Sequence, residues 1–245
     1  MKVFKFGGAA VNNIERITQV KNILKEYKDE KLLIVISAMG KSTNALEKVT
    51  EAFVEKRKED ALKLFDQLKR QHVMTSKYLL VTHYLPCENK LDEIFKNTET
   101  LLQKPPEKSY DFYYDQIVSV GELISTTIMS YFLNEMGIEN DWVDVRKIIK
   151  TDNNFRDANI NWKQTQENVS NIIKPILENK TVVTQGFIGS NIDGNTTTLG
   201  REGSDYTAAV FANMLDAESQ TIWKDVENVM NADPRYFENA SLLNQ

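Results

Sequence analysis

The sequence predicts an α/β protein, a three-layer αβα sandwich in which helices cover both faces of a mainly parallel sheet. Short apolar segments alternate with longer segments of helical periodicity, which is the order of elements in βαβ units. The segment Leu32–Ile36 is apolar at every position, as expected of a central strand covered on both faces. The chain has 245 residues, 41% of them hydrophobic, which is enough to bury a sizeable core.

The first elements follow from the spacing of apolar residues. Residues 2–6 and 31–37 are expected to be strands, and residues 13–30 a helix with apolar positions three and four apart. Helical patterning continues over residues 45–70. Residues 51–109 are rich in Lys, Glu and Leu, and we interpret them as a helical insertion into the sandwich.

The later elements complete the sheet. A helix is expected over residues 111–136, after a proline pair and before Gly137. Asn191–Asn195 contains the Asp-Gly signature of a hairpin turn. Further strands are predicted at residues 142–145, 181–184 and 219–223. No repeat or flexible linker separates these elements, so residues 1–245 are interpreted as one domain.

Composition narrows the function classes. The chain has 35 acidic and 30 basic residues, a net charge of -5, so composition does not favour nucleic-acid binding. The single Cys87 excludes an intrachain disulfide, and the N-terminus lacks the apolar run of a secretory signal. Leu32–Ile36 is too short to span a bilayer. We therefore expect a cytoplasmic protein without a membrane or nucleic-acid partner.

The most informative segment is the glycine-rich run of residues 197–206, Thr-Thr-Leu-Gly-Arg-Glu-Gly-Ser-Asp-Tyr. Its glycines permit tight turns, and Ser204 or Asp205 is suited to cap the helix that follows. Free backbone N–H groups at a helix start attract phosphate or carboxylate, and Arg201 adds a fixed positive charge. The run predicts an anion site, and an ordinary capped helix after a turn is the alternative.

A second run lies at the N-terminus, where Val3–Phe6 leads into Gly7 and Gly8. Paired glycines after a strand let the backbone approach a polyanion, and the ammonium of Lys5 neutralises phosphate charge. The Gly-Lys-Ser/Thr ending of a Walker loop is missing. A plain strand-to-turn junction is the alternative interpretation.

Five ordered motifs resemble those of the amino-acid kinase superfamily, and within it the aspartate kinases. The resemblance covers nearly the whole chain, except for residues 51–109, which carry no diagnostic motif. The motifs are Lys5–Gly8, Val35–Asn44, Ser119–Ser125, Thr197–Tyr206, and Trp223–Val226 with Ala232–Arg235.

The resemblance implies transfer of the γ-phosphoryl group of ATP to the side-chain carboxylate of L-aspartate. The product would be 4-phospho-L-aspartate, made in the first step of the lysine, threonine and methionine pathway. A carboxylate nucleophile is already ionised near neutral pH, so no general base is required. Mg²⁺ would arrive with ATP, held by phosphate oxygens and water. A homodimer is compatible with the resemblance.

The resemblance also implies roles at the phosphate end of the site. Lys5 would stabilise charge on the transferring phosphoryl group, and Asp205 would orient Lys5 or a magnesium-bound water. The amides of Gly7 and Gly8 would approach the same phosphates. Further nucleotide contacts are expected from Lys224, Asp225 and Arg235. A plain helix cap is the alternative for Asp205, and a solvent-exposed position is the alternative for Lys224.

At the amino-acid end, Arg201 would clamp a substrate carboxylate through paired charge-assisted bonds. Glu122 would pair with the substrate amino group, and a solvated helix carboxylate is the alternative. Further substrate contacts are expected from Ser37, Thr43, Gly203 and Ser204. Trp223 is interpreted as a core residue, and both histidines, His72 and His83, as structural or solvated.

The chain departs from the family pattern in three ways. Ala9-Ala10 replaces residues with hydroxyl groups, and Glu227-Asn228 replaces a common Pro-Gly pair. The resemblance also leads us to expect an N-terminal catalytic domain that lacks the later part of the kinase domain and the regulatory domains of the ACT type. Two other functions stay open: another amino-acid kinase, acting on acetylglutamate or glutamate, or a non-catalytic binding or assembly module.

Overall fold

The centre of the fold is a five-stranded parallel sheet. The structure is a computed structural model that describes residues 1–224, 230–234 and 236–243. In spatial order the strands are β3 (Asn140–Val143), β4 (Thr181–Gln185), β2 (Leu32–Ile36), β1 (Lys2–Phe6) and β7 (Ser219–Trp223), numbered in chain order. All four pairings are parallel. A separate antiparallel hairpin joins β5 (Ile188–Ser190) and β6 (Thr196–Thr198), as its Asp-Gly turn predicts.

Helices account for most of the remaining described chain. They are α1 (Ile14–Glu26), α2 (Ser42–Val54), α3 (Lys58–Leu79), α4 (Tyr84–Gln103), α5 (Tyr110–Val118), α6 (Val120–Glu135), α7 (Trp162–Asn168), α8 (Lys174–Leu177) and α9 (Gly203–Met214). A π-helical turn, Val169–Ile173, connects α7 to α8, and single 3₁₀ turns lie at Gly8–Val11 and Val145–Lys147.

Alternate residues of β1 enter two different apolar clusters. Phe4 and Phe6 pack in a cluster formed largely by α1 to α6, whereas Val3 packs in a cluster with residues of α7 to α9. Successive side chains of a strand point to opposite faces, so helices cover both faces of the sheet. The predicted three-layer sandwich is confirmed, and Lys5 lies on the face that α9 covers.

Two helices predicted as continuous are each divided in two. The pattern over residues 45–70 spans α2 and α3, which separate at Lys56, where φ is +63°. The predicted helix 111–136 consists of α5 and α6, which meet at Ser119. Apolar periodicity continues through both junctions because the helices on either side face the same core.

The segment that contains α7 and α8 was not predicted. It nevertheless carries a helical signal, because Thr165, Val169, Ile173 and Leu177 recur every four residues and are all buried. Polar residues between them and the short length of each piece obscure this spacing.

The segment Tyr110–Glu135, which comprises α5 and α6, is long and apolar enough to pass a length and hydropathy test for a membrane span. Its mean hydropathy reaches 1.2, and 89% of that window is buried inside the protein. The apolar side chains therefore serve the core, as in a central helix of a globular fold.

Gly8 is where the turns after β1 and β2 touch. A Cβ at this position would lie 2.5 Å from the carbonyl oxygen of Ala38, and the Gly40 N–H donates to the Gly8 carbonyl at 3.0 Å. We expect Gly8→Ala to lower the free energy of unfolding by about 1–3 kcal/mol, the usual cost of overpacking. Urea unfolding measures this change.

Gly7→Ala is the matched control. Gly7 has φ -73° and ψ 168°, which any residue adopts, and an added Cβ would only contact Lys5 Nζ at 3.4 Å. Its stability should stay close to that of the unmodified protein. Equal stability of the two alanine variants would show that the turns do not depend on this close approach.

Candidate active site

The carboxyl ends of four neighbouring strands meet at one edge of the sheet. Lys5 lies near the end of β1, Ser37 follows β2, Phe187 follows β4, and Lys224 follows β7. Because the strands are parallel, loops that are far apart in the sequence converge there. The two glycine-containing runs of the sequence meet at this edge, so their separate signals belong to one place in the fold.

A cavity of about 430 Å³ opens at this edge. Eight of the predicted site residues line it together, including Lys5 from the first strand and Arg201 from the late glycine-rich run. The lining residues are Lys5, Ser37, Thr43, Tyr114, Glu122, Arg156, Phe187, Gly200, Arg201, Glu202, Gly203, Ser204 and Asp205. Its volume falls in the range of small-molecule sites.

Lys5 and Asp205 form the charged floor of the cavity. Lys5 is only 6% exposed, and its Nζ lies 2.5 Å from Asp205 Oδ1. Lys224 Nζ lies 3.3 Å from the other carboxylate oxygen. Burial alone would raise the pKa of Asp205, but its bonds to Lys5 and Lys224 outweigh burial and hold that pKa below the ordinary value. Two ammonium groups on one carboxylate leave a net positive charge, which suits a phosphate.

Glu122 has a buried carboxyl group with an unfilled hydrogen-bonding position. It is 3% exposed, and Oε1 accepts a bond from the Ala38 N–H at 3.3 Å. Among the described residues, Oε2 has no hydrogen-bond partner. Burial raises the Glu122 pKa to about 8. The solvated alternative for Glu122 is therefore wrong. A positively charged group beside Oε2 would favour its ionised form.

The loop after β2 supplies hydroxyl groups to the same cavity. Ser37 follows the strand directly, and Ser125 of α6 donates to its carbonyl at 2.7 Å. Thr43 lies in the first turn of α2. Ser42, the first residue of that helix, donates its hydroxyl to the carbonyl of Met39 at 2.6 Å. Ser37 is thus tied to α6, the helix that carries Glu122, and Thr43 lies on the helix that follows this loop.

The turn before α9 places Arg201 at the cavity. Gly200 and Glu202 both adopt left-handed backbone conformations, with φ +75° and +56°. Glu202 is the N-cap residue, and no side chain caps the helix. The prediction that Ser204 or Asp205 is the cap is therefore wrong: Asp205 lies within the first turn and is free to bind Lys5. Within the described chain, the Arg201 guanidinium forms no ion pair.

Ala9-Ala10 does not prevent the turn after β1 from forming. Gly8–Val11 is a 3₁₀ turn, closed by the Ala10 N–H, which donates to the Gly7 carbonyl at 2.9 Å. The backbone therefore makes the turn without the hydroxyl groups of the family pattern. Gly7 lies beside the ammonium of Lys5.

Two predicted nucleotide contacts, Asp225 and Arg235, lie outside the described residues. Trp223 is partly buried and stacks on Phe6, with ring centroids 6.0 Å apart, as a core residue does. His72 is buried, and burial lowers its pKa. The His72 Nε2 lies 3.2 Å from Ser42 Oγ. The side chain of His83 is more exposed than that of His72.

Sequence interpretation missed five residues that line the cavity, namely Tyr114, Arg156, Phe187, Gly200 and Glu202. Gly200 and Glu202 belong to the glycine-rich run, which was itself predicted to be an anion site. Tyr114 and Arg156 lie in segments without a diagnostic motif, and only the fold brings them to this edge.

A cavity lined by buried charged groups at the carboxyl edge of a parallel sheet is typical of α/β proteins that bind small charged ligands. The comparison with known families agrees with this class. The whole chain, residues 1–245, matches the family described as the amino acid kinase family, and it belongs to that family.

Similar proteins include two curated aspartokinases. Lysine-sensitive aspartokinase 3 of Escherichia coli K12 is 30% identical over 99% of this chain, which covers 53% of that protein. Aspartokinase 3, chloroplastic, of Arabidopsis thaliana is 32% identical over 96% of this chain, which covers 42% of it. The chain thus spans about half of these relatives.

A solved structure shares the fold closely. It is the crystal structure of E. coli aspartokinase III in complex with aspartate and ADP (R-state), with a TM-score of 0.89 and 29% sequence identity. The match covers 99% of this chain and 53% of that one. The predicted amino-acid kinase fold is confirmed.

Proposed function

We propose that this chain transfers the γ-phosphoryl group of ATP to the side-chain carboxylate of L-aspartate, giving 4-phospho-L-aspartate and ADP. The observation that carries the proposal is the meeting, in one cavity, of the Lys5–Asp205 pair with the buried, half-partnered carboxylate of Glu122. The first suits a transferring phosphate, and the second suits the ammonium group of an amino acid.

The reaction needs alignment and charge neutralisation more than proton transfer. An oxygen of the aspartate side chain forms a bond to the γ-phosphorus, and the bond between that phosphorus and the β,γ-bridging oxygen breaks, which releases ADP. Lys5 stabilises the charge on the phosphoryl oxygens, and Asp205 holds the ammonium of Lys5 in place. No group has to remove a proton because the attacking carboxylate is ionised.

Glu122 favours a free amino acid over an N-acylated one. A substrate ammonium would supply the missing partner of Oε2, whereas the amide of acetylglutamate has no positive charge to offer. Arg201 lines the cavity, forms no ion pair with any described residue, and would bind the main-chain carboxylate. Glutamate presents the same groups as aspartate with one additional methylene, so only the depth of the cavity opposes it.

The proposal includes ATP with Mg²⁺, a place in lysine, threonine and methionine biosynthesis, and a cytoplasmic location. The described residues contain no group of three or more His, Cys, Asp or Glu side chains placed to hold a metal. Because Asp205 already binds two ammonium groups, it would contact a bound Mg²⁺ through water. The two aspartokinase relatives support the pathway. A homodimer is part of the same proposal.

A coupled assay of ADP release tests the proposal. The chain is supplied with Mg-ATP and, in separate reactions, L-aspartate, L-glutamate or N-acetylglutamate. We expect turnover with aspartate, at least tenfold less with glutamate and none with acetylglutamate. A preference for acetylglutamate or glutamate would assign another amino-acid kinase. Binding of ATP and aspartate without ADP release would assign a binding module.

A further inference from the structure

Arg156 occupies a backbone conformation that favours glycine. Its φ is +70°, in the left-handed region, which costs a residue with a side chain about 1 kcal/mol or more. Such strain persists only where the surroundings hold it. The side chain at this position lines the cavity, so the strained backbone carries a guanidinium to the site.

Asp115 holds this backbone in place. Its carboxylate, buried in α5, accepts the Arg156 N–H at 3.0 Å, the Thr198 N–H at 2.9 Å and the Thr198 hydroxyl at 2.7 Å. Thr198 leads directly into the turn that carries Arg201. One buried carboxylate therefore fixes both arginine-bearing segments.

The two segments also touch each other. A Cβ on Gly200 would lie 2.7 Å from Asp157 Oδ1 and 3.4 Å from the Arg156 carbonyl oxygen. Gly200 thus lets the turn before Arg201 pack against the turn that carries Arg156. The contact places the two arginines on adjoining backbone segments at one cavity.

The guanidinium of Arg156 is oriented by its neighbours but keeps donors free within the described part of the chain. Its central carbon lies 4.5 Å from the ring centre of Tyr114, whose hydroxyl donates to Glu47 at 3.0 Å. Nη1 also pairs with Asp111 at 3.2 Å. That ion pair is exposed and weak, and it uses one of five N–H donors. Stacking on the ring leaves the edge of the guanidinium available to a ligand.

We propose that Arg156 is a specificity-determining residue, a second guanidinium that binds the main-chain carboxylate of the acidic amino acid together with Arg201. This inference rests on the proposed function. The Arg156 guanidinium packs on Tyr114 of α5, the helix that precedes the one carrying Glu122. Lys224 instead forms an ion pair with Asp205, beside Lys5. A carboxylate near Glu122 is therefore the favoured ligand, and a nucleotide phosphate is the other source of the same chemistry.

Arg156→Gly tests the inference without straining the backbone. Glycine adopts φ +70° freely, so the melting temperature should stay the same or rise. We expect titration calorimetry to show aspartate affinity lower by about ten- to a hundredfold, the range for charge-assisted bonds to a carboxylate. ADP affinity should be unchanged. In the kinase assay, KM for aspartate should rise while kcat stays within about twofold.

Arg70→Ala is the matched control because it removes the same charge from an exposed side chain on α3. It should leave aspartate affinity unchanged. If Arg156→Gly folds poorly, Arg156→Asn removes the guanidinium with a residue that tolerates the same φ. Unchanged aspartate affinity in a folded Arg156 variant, or a loss confined to ADP, would overturn the inference.

The proposed function can fail separately. Aspartate that binds without being phosphorylated rejects the kinase activity, and the titration still decides the role of Arg156. If the unmodified chain binds none of aspartate, glutamate and acetylglutamate, both proposals are rejected.

Discussion

Lys5→Ala should lower turnover of aspartate and ATP by about a thousandfold. The ammonium of Lys5 is buried at the cavity and is held by Asp205, so it can stabilise charge that develops on the phosphoryl group without first reorganising. An interaction made mainly in the transition state affects kcat more than KM. Steady-state kinetics with coupled ADP detection measures both.

The fold should tolerate this change. Asp205 also binds Lys224 at 3.3 Å, so its charge should stay compensated when Lys5 is removed. Lys5→Met is the matched variant because it retains most of the side-chain volume without the charge. Both variants should unfold near the temperature of the unmodified protein and share the loss of turnover. Turnover equal to that of the unmodified protein in either variant would remove Lys5 from the mechanism.

Glu122→Gln should weaken aspartate binding by about thirtyfold or more. Truncating one partner of a buried charge pair costs roughly 2–5 kcal/mol, and the glutamine amide cannot replace the carboxylate beside an ammonium group. Binding to the unmodified protein should strengthen by up to tenfold per pH unit between pH 6 and 8, because Glu122, with a pKa of about 8, must ionise to pair with the substrate. In the glutamine variant this pH dependence should disappear.

The same variant should be more stable than the unmodified protein in alkaline solution. The folded-state pKa of Glu122 is raised above the ordinary 4.5, so the folded state binds more protons than the unfolded state between pH 4.5 and 8. The contribution of Glu122 to stability is therefore fully present below pH 4.5 and is lost progressively until the pH has risen through 8.

Urea unfolding without ligand should show little difference between the two proteins at pH 5. At pH 9 the glutamine variant should be more stable by several kcal/mol, since each unit of pKa shift corresponds to about 1.4 kcal/mol. If the stability of the two proteins changes equally with pH over this range, folding does not raise the pKa of Glu122.

The sequence predicted the sheet well because its strands are short, apolar and separated by helical segments. Leu32–Ile36 is apolar at every position, which is typical of a central strand buried on both faces. It predicted helix boundaries poorly at Lys56 and Ser119, because packing against one core continues the apolar pattern across both junctions.

The candidate site divided in the same way. Residues in glycine-containing motifs, such as Lys5 and Arg201, were predicted because the local backbone chemistry identifies them. Arg156 was not, because its importance depends on Asp115 and Tyr114, which are about 40 residues distant in the chain. Burial of Glu122 could not be predicted either, since a carboxylate at a helix start is ordinarily exposed.

The position of β1 between β2 and β7 also affects how the chain is made. During synthesis β1 emerges more than two hundred residues before β7, the strand that pairs with its second edge. Until β7 docks, the nascent protein carries an open strand edge, and pairings this distant in sequence form slowly. Recovery of activity after denaturation should therefore lag behind recovery of helical structure, and the interval is when aggregation competes most strongly with folding.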